Sequence, residues 1–338
     1  MRSPPANLIP EAVRAALAEG WGLRAASMDY VPQGAGSYHW KLTAEDGRSY
    51  FVTVDDLDCK DWIGTIRDSV FDGLGRAFST AAALRDEAGL EFVVAPIGAR
   101  DGELLRRLDD QYSLSVFRYL PGRSYGFGPY PDARLRGQAL EMIAALHRAT
   151  PDVRDGAPRH VLSFGGREDL NAFLIDKDRL WDGGPFSGYA RELLAARAGD
   201  LTRLVAGFDR LAERTAPARA DLVITHGEPH PGNIMSVDGR LVLVDWDTAG
   251  LGPPERDVSL IATDDEDIDR YQKATSRELD PAVITLYRLR WYLDDLASAI
   301  RLFRNRHQDT PGTRMWRDSL TPQLQQLSDW SAVLSDQQ

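Results

Sequence analysis

The chain has 338 residues, 40 Lys and Arg against 51 Asp and Glu, and a formal net charge of −11, which argues against a general nucleic-acid binder, whose footprint is a basic surface. With 43% hydrophobic and 27% charged residues it has the material for packed cores and reads as globular. One cysteine, Cys59, leaves no internal disulfide or thiolate metal cluster, the opening MRSPPANLIPEAV lacks a signal-peptide core, and no apolar run spans a bilayer, so the expected setting is the cytoplasm, without a membrane partner.

Residues 10–20, PEAVRAALAEG, place Pro10 where a first helical turn tolerates it and Gly20 where a helix stops, which predicts a short opening helix. From 23 to 120 the pattern shifts to short β-like runs. Asp46-Gly47, between SYHWKLTA and SYFVTV, and Asp101-Gly102, between EFVVAPIGA and ELLRRL, both read as hairpin turns. Between them residues 61–87 are alanine-rich, with Phe78, Ala82 and Leu84 at helical spacing. YSLSVFRYLPG runs from an apolar strand into Pro121-Gly122, and the lobe boundary is expected there: residues 1–117 as an α+β lobe and 118–338 as a larger, mostly helical one. Helices are expected over 134–149, with Leu135, Ala139, Ile143 and Leu146 on one face, and over 189–212. The stretch 222–245, LVITHGEPHPGNIMSVDGRLVLVD, interrupts that helical texture with two strands flanking Asp238-Gly239, behind a polar loop.

That loop, His226-Gly227-Glu228-Pro229-His230-Pro231-Gly232-Asn233, cannot be helical, because two prolines and two glycines interrupt it. Asp245 follows Asn233 after the turn. A three-residue loop, Val237-Asp238-Gly239, pairs Asn233 with Leu243 and puts Asp245 on the same sheet face as Asn233; a two-residue loop puts them on opposite faces. An amide oxygen and a carboxylate gathered at strand ends form a hard-oxygen site of the kind Mg²⁺ takes while holding phosphates. Glu228 can accept a proton from a hydroxyl beside that ion, and phosphoryl transfer needs little beyond positioning, charge neutralisation and such a base. Turn-rich loops also carry Glu, Asn and Asp for backbone capping alone, and spacing by itself leaves that alternative open.

HGEPHPGN followed by VDWD resembles the HGDxHxxN and (I/V)D(F/W)D signatures of the aminoglycoside phosphotransferase and choline kinase family, which share the protein-kinase-like fold. The likeness takes in the glycine turn Gln33-Gly34-Ala35-Gly36-Ser37, the hinge-like SVFRYLPG and the helical second lobe. The late segment YRLRWYLDDLASAI is most similar to the spectinomycin phosphotransferase branch. The resemblance implies a two-lobed α+β fold, with a small antiparallel-sheet lobe and a larger helical one. It implies an O-phosphotransferase that uses Mg²⁺ and ATP or GTP on a hydroxyl of a small cationic compound. An aminoglycoside or aminocyclitol antibiotic leads, as for a resistance kinase; a metabolite acceptor such as choline or homoserine is the variant reading. By the same resemblance Glu228 is the catalytic carboxylate, His226 braces its loop, and Asn233 and Asp245 hold the metal with Asp247 assisting. Backbone of Val116, Phe117 and Arg118 meets the base, and Gly34, Ala35, Gly36 and Ser37 cover the phosphates.

Two positions depart from the family pattern. Glu228 stands where the family has Asp; the proton chemistry survives, although a base misplaced by about an ångström loses about a hundredfold in rate. Thr53 stands where the third strand carries the Lys that holds the phosphates, and the matching helix, GRAFSTAAALR, lacks the acid that pairs with it. Lys41, Lys60, Arg67 and Arg76 are nearby cations. A two-residue Asp46-Gly47 turn pairs Lys41 with Val52 and turns it away from Thr53, which leaves Lys60 or an arginine freer, while Asp55 and Asp56 repel phosphate unless solvated or metal-bound. These losses keep open a non-catalytic ligand-binding protein of the same fold.

The remaining candidates each have a bland counterpart. Asp265 and Glu266 can attract a cationic amine, but Thr263 with Glu266 also forms a capping-box pattern. Trp291, Tyr292 and Asp295 can line a cation pocket or simply pack an amphipathic helix. His226 and His230 flank Glu228 in the wrong order for the helical His-Glu-x-x-His zinc motif. His147 reads as a packed or surface helix residue, Cys59 as a bystander and Arg256-Asp257 as a structural ion pair.

Overall fold

The computed structural model describes residues 4, 5, 7–34, 36–216 and 218–335; Ala35, one of the expected phosphate-loop residues, lies outside them. The chain divides into two compact units, Met1–His160 with Asp221–Glu278, and Val161–Ala220 with Leu279–Gln338. The polar loop therefore shares a unit with the first sheet.

That sheet has five strands in the order β1-β2-β3-β5-β4: β1 Ala25–Val31, β2 Ser37–Ala44, β3 Ser49–Asp56, β4 Arg106–Arg107 and β5 Tyr112–Arg118, all antiparallel. Alternation sorts its side chains. Trp40, Leu42, Val52, Val54, Leu114 and Val116 pack with Val13 and Leu17 of the opening helix Pro10–Gly20. The other face carries Thr53, Asp55, Ser113 and Ser115, all buried although polar. Buried polar side chains are more informative than a buried core, because each must be satisfied or used.

The Asp46-Gly47 hairpin has a three-residue loop: Ala44 N–H donates to Arg48 O at 2.9 Å, and Gly47 takes φ +82°. Lys41 therefore pairs with Phe51, not Val52, and falls on the same face as Thr53, contrary to the two-residue expectation. Its ammonium lies 4.4 Å from the Tyr119 ring centroid. The turn at Asp101-Gly102 also forms, closed by Ala99 N–H to Glu103 O at 2.8 Å. Its first arm does not become a sheet strand; Pro96 lacks a donor, and the arm's sheet-like contacts are the bridge of Val93 to Leu243, closed by Leu243 N–H to Phe92 O at 2.8 Å and Val94 N–H to Leu243 O at 3.1 Å, and a bond from Ile97 N–H to Val116 O. The helix Arg67–Asp86 buries Val70, Leu74 and Phe78 against Leu57 and Leu105.

In the same unit, β7 Val223–Thr225 pairs with β10 Gly250–Gly252, and β6 Arg123–Ser124, β8 Ile234–Val237 and β9 Arg240–Leu243 form a three-stranded sheet. The helix Ala133–Arg148 is capped by Asp132, whose carboxylate accepts from Leu135 N–H at 2.7 Å. The helix Asp265–Thr275 is capped by Asp264 accepting from Asp267 N–H at 3.0 Å, with Asp267 reaching back to Thr263 N–H at 2.9 Å. The cap thus falls on Asp264 and not on the expected Thr263–Glu266 pair, because Asp264 and not Thr263 leaves the helix in extended dihedrals.

The second unit is helical: Arg167–Ile175, Ser187–Ala196, Ala198–Arg214, Pro281–Arg304, Pro311–Gln325 and Leu327–Ser335, around a core that includes Phe173, Phe208, Leu293, Ile300 and Phe303. The single helix expected over 189–212 is two. Arg197 leaves helical dihedrals at φ −115° and ψ 11°, and its guanidinium pairs with Asp200 at 2.5 Å in the first turn of the next helix. Among the described residues no helix is long and apolar enough to cross a membrane.

Candidate active site

The chain leaves β7 at Thr225 and enters the polar loop under the control of one buried carboxylate. Asp257 Oδ2 accepts from His226 N–H at 2.8 Å, Oδ1 from Gly227 N–H at 2.6 Å, and His147 Nε2 lies 3.1 Å from Oδ2. Burial opposes this charge, but the hydrogen bond to His147 and the nearby Arg256 overcome it and hold the Asp257 carboxyl below its usual range. Arg256 was expected only as the ion partner of Asp257; its guanidinium donates to Thr225 Oγ1 at 2.6 Å and Thr248 O at 3.0 Å. Gly227 takes φ +98°, and a Cβ there would sit 2.2 Å from Arg256 Nη2, so only glycine fits.

His226 is fully buried and lies across Trp246 at 4.7 Å between centroids. Its Nε2 is 3.0 Å from Val244 O, and its Nδ1 accepts from Glu228 N–H at 3.2 Å, which assigns the proton to Nε2. Burial lowers its pKa to about 4 despite Asp257, so the ring is neutral at pH 7 and ties the loop to the segment after β9. His230 is likewise lowered to about 4, first by burial and then by His226. His147, far from being a ligand, is buried between Tyr271 Oη at 2.6 Å and Asp257.

Glu228 is oriented through its backbone. Its carbonyl accepts from Asn233 Nδ2 at 3.0 Å and from His230 N–H at 2.8 Å, while Oε2 stands 3.9 Å from His230 Nε2. Residues after β6 strap the loop from outside: Ser124 Oγ donates to Gly232 O at 2.7 Å, Tyr130 Oη donates to Pro229 O, and the Phe127 ring meets His230 at 4.9 Å.

The turn between β8 and β9 has two residues, Asp238 at φ 49° and Gly239 at φ 78°, with Val237 opposite Arg240. Sheet parity would then separate Asn233 from Asp245. The ladder stops short of both, however. Asn233 ends the 3₁₀ turn Pro231–Asn233, its carbonyl accepting from Val244 N–H at 2.9 Å, and Asp245 takes left-handed backbone at φ 70°. A non-glycine residue held there is the kind of outlier found where function over-determines the backbone. Water reaches Asp245 on one side while protein encloses the rest. That enclosure, with Asp247, Glu228 and Asp55 close by, raises its carboxyl pKa against the pull of Lys60.

Lys60 is buried, with Nζ 2.6 Å from Asp247 Oδ2 and 3.2 Å from Asp55 Oδ1. Burial would push the ammonium down, but Asp247, Asp55 and Asp245 together raise it. Ser37, expected over the phosphates, donates its Oγ to Asp55 Oδ1 at 2.7 Å. Gly34 and Gly36 both take φ +75°; a Cβ on Gly34 would lie 2.8 Å from His39 Nε2. His39, held neutral with a pKa lowered to about 3, first by burial, has Nδ1 3.2 Å from Thr53 Oγ1. Of the hinge residues, Val116 is buried with its carbonyl taken by Ile97 N–H, Phe117 packs on Phe78 at 5.8 Å, and Arg118 is exposed.

The substrate candidates divide between the two units. Asp265 and Glu266 are exposed in the first turn of their helix, beside Asp269, Arg270 and Lys273 in an open depression. Trp291, Tyr292 and Asp295 belong to the second unit, where Tyr292 Oη donates to Gln323 O at 2.6 Å and burial, then Asp294, pushes Asp295 up to about 6. The Cys59 thiol is pushed up to about 11 by desolvation and Asp56, consistent with a bystander. Among the described residues no three His, Cys, Asp or Glu side chains stand as a preformed metal site. Sequence reasoning missed the loop-holding role of Asp257 and the strap of Ser124 and Tyr130; no local pattern marks partners this distant.

The sequence profile of the phosphotransferase enzyme family matches residues 30–292. Protein StrN of Streptomyces griseus is 26% identical over 263 residues, 75% of this chain and 78% of that protein. The solved structure of a spectinomycin phosphotransferase with ADP and spectinomycin matches at a TM-score of 0.72, over 96% of this chain and 99% of that one, at 15% identity. An amicoumacin kinase solved with AMP-PNP and Ca²⁺ matches at 0.61, over 96% and 94%, at 16% identity. The structural likenesses establish the kinase-like α+β fold.

Proposed function

We propose, from the premise that this chain belongs to the phosphotransferase enzyme family and is a small-molecule kinase, that it transfers the γ-phosphoryl of ATP or GTP to a hydroxyl of a small cationic compound in the cytoplasm. An aminoglycoside or aminocyclitol leads as acceptor. The net charge of −11, the segment YRLRWYLDDLASAI and the fold likeness to spectinomycin phosphotransferase support that class. The observation that carries the reading is the meeting, within one compact unit, of the Glu228–Asn233 loop and the Asp245–Asp247 segment beside the polar face of the first sheet.

In this reading Glu228 takes the proton of the acceptor hydroxyl as its oxygen bonds to the γ-phosphorus. The bond from that phosphorus to the bridging oxygen breaks, and the nucleoside diphosphate leaves. The residues fit a hard divalent cation. Asn233 commits Nδ2 to Glu228 O, which reserves Oδ1, and three carboxylates, Asp55, Asp245 and Asp247, face the single ammonium of Lys60. Asn233, Asp245 and Asp247 would hold Mg²⁺, which when bound neutralises charge on the phosphates. His226 keeps the loop in register without titrating.

The test is turnover. Purified protein with Mg·ATP or Mg·GTP and a panel of amino sugars and small amino alcohols should release nucleoside diphosphate and add one phosphate to the acceptor by mass. Asp245→Asn should abolish both. Unaffected turnover in that variant overturns the assignment, and acceptor-dependent thermal stabilisation with no phosphate transfer identifies a binding protein instead.

A further inference from the structure

The kinase reading leaves one part unsupplied. Thr53 has no charge to offer nucleotide phosphates; it is buried and its hydroxyl faces His39. Lys60 lies just beyond β3, after the 3₁₀ turn Leu57–Cys59, and its side chain is 1% exposed. A lysine is almost never so enclosed unless paired, and here the pairing is uneven. One ammonium meets Asp247 and Asp55, with Asp245 within electrostatic reach, so three carboxyl groups crowd a single cation, a surplus that a divalent cation held at Asp245 and Asp247 would offset. Asp55 Oδ2 is buried without a hydrogen-bond partner, as are the hydroxyls of Ser113 and Ser115, which stand across the ladder from Asp55 and Thr53. Unsatisfied polar atoms on one interior face are costly, and they mark a place shaped for something polar. The glycine turn lies against the same side chain: a Cβ on Gly36 would be 3.7 Å from Lys60 Cγ.

We propose that Lys60 is the cation that anchors the nucleotide phosphates in this chain, with Asp55 as the acid that holds it. The lysine has moved from the strand to the turn after it, and its acid has moved from the helix to the strand itself. Asp55, fixed by Ser37 Oγ, and Asp247 occupy two of the three N–H donors of the ammonium, and the third serves a phosphate oxygen. This inference rests on the kinase reading of the same site, and it concerns binding of phosphate, so its test needs no acceptor.

Calorimetric titration with ADP and with adenosine, each in the presence of Mg²⁺, separates phosphate recognition from base recognition. Lys60→Met should weaken ADP binding about ten- to a hundredfold and leave adenosine binding unchanged. Lys60→Met orphans a buried carboxylate, so the double variant Lys60→Met/Asp55→Asn, which removes that charge as well, should show the same ADP-specific loss in a cooperatively melting protein. Unchanged ADP affinity in a folded variant, or equal losses for ADP and adenosine, overturns the role of Lys60 while the kinase reading stands. Wild-type protein that binds neither ligand overturns both.

Discussion

Asp257 holds His226 by its backbone: Oδ2 accepts the His226 N–H at 2.8 Å across 31 residues of chain, and Oδ1 accepts the next N–H, that of Gly227, at 2.6 Å. The polar loop is therefore positioned by a carboxylate that touches no reacting group. Asp257→Asn exchanges one acceptor oxygen for an NH₂ that faces an N–H donor in a site without water access. The variant should lose about 3 kcal/mol of stability and much of its turnover, because Glu228 follows Gly227 directly. Urea unfolding and steady-state rates check both; wild-type values in both would show that the loop is held by other contacts.

Glu228→Gln keeps the shape of the side chain and removes its capacity to accept a proton. Turnover should fall about a hundred- to ten-thousandfold with nucleotide affinity unchanged, since in the proposed function other groups hold the phosphates. Glu228→Asp tests the fit of the longer carboxylate. The backbone at 228 is pinned by Asn233 and His230, so the shorter side chain cannot advance to compensate, and about a hundredfold loss is expected. A gain in turnover would show instead that the extra methylene is a handicap.

The same residues show what could be read from sequence alone. Alternation in SYHWKLTA and SYFVTV marks β2 and β3 because one face is apolar, and HGEPHPGN with VDWD marks the loop because its parts are local. Turn length was not legible. Asp46-Gly47 closes a three-residue loop and Asp238-Gly239 a two-residue one, and the same dipeptide serves both because either geometry needs left-handed backbone at its glycine. Turn length mattered twice: the two-residue reading of Asp46-Gly47 turns Lys41 away from Thr53, which the ladder contradicts, and the open length at Asp238-Gly239 leaves the approach of Asn233 and Asp245 to ladder parity. Lys60 could be named as a free cation, but its partner Asp247 is 187 residues away, and no periodicity records that distance. The break at Arg197 is invisible for the opposite reason: alanine-rich helix continues on both sides of it.

Stability should fall with acidification through the histidines. His226 is neutral in the fold, its pKa lowered to about 4 chiefly by burial, while an unfolded histidine titrates near about 6.5. Between those values the unfolded chain binds a proton that the folded chain refuses, so the contribution is fully present above about 6.5 and is lost as pH falls toward about 4. For His226 the loss is on the order of 3 kcal/mol, and His230 and His39, both lowered, slope the same way. Urea unfolding at a series of pH values checks the sign. His226→Gln, which keeps a donor for Val244 O, should flatten the profile in that window; an unchanged slope would assign the effect to other groups.

Gly227→Ala isolates the contact that lets the loop turn. The added methyl would meet Arg256 Nη2 at 2.2 Å and Cζ at 2.5 Å, on backbone at φ +98°. The guanidinium cannot simply swing aside, because it is bonded to Thr225 Oγ1 and Thr248 O. Left-handed backbone costs an alanine about 1 kcal/mol, and breaking the charged hydrogen bonds adds about 2 kcal/mol. In an Arg256→Lys background the colliding Nη2 is gone, so the same substitution should cost only the backbone share, a coupling of about 2 kcal/mol in a double-mutant cycle. Equal costs in the two backgrounds would mean that φ alone, and not Arg256, demands glycine at the head of the loop.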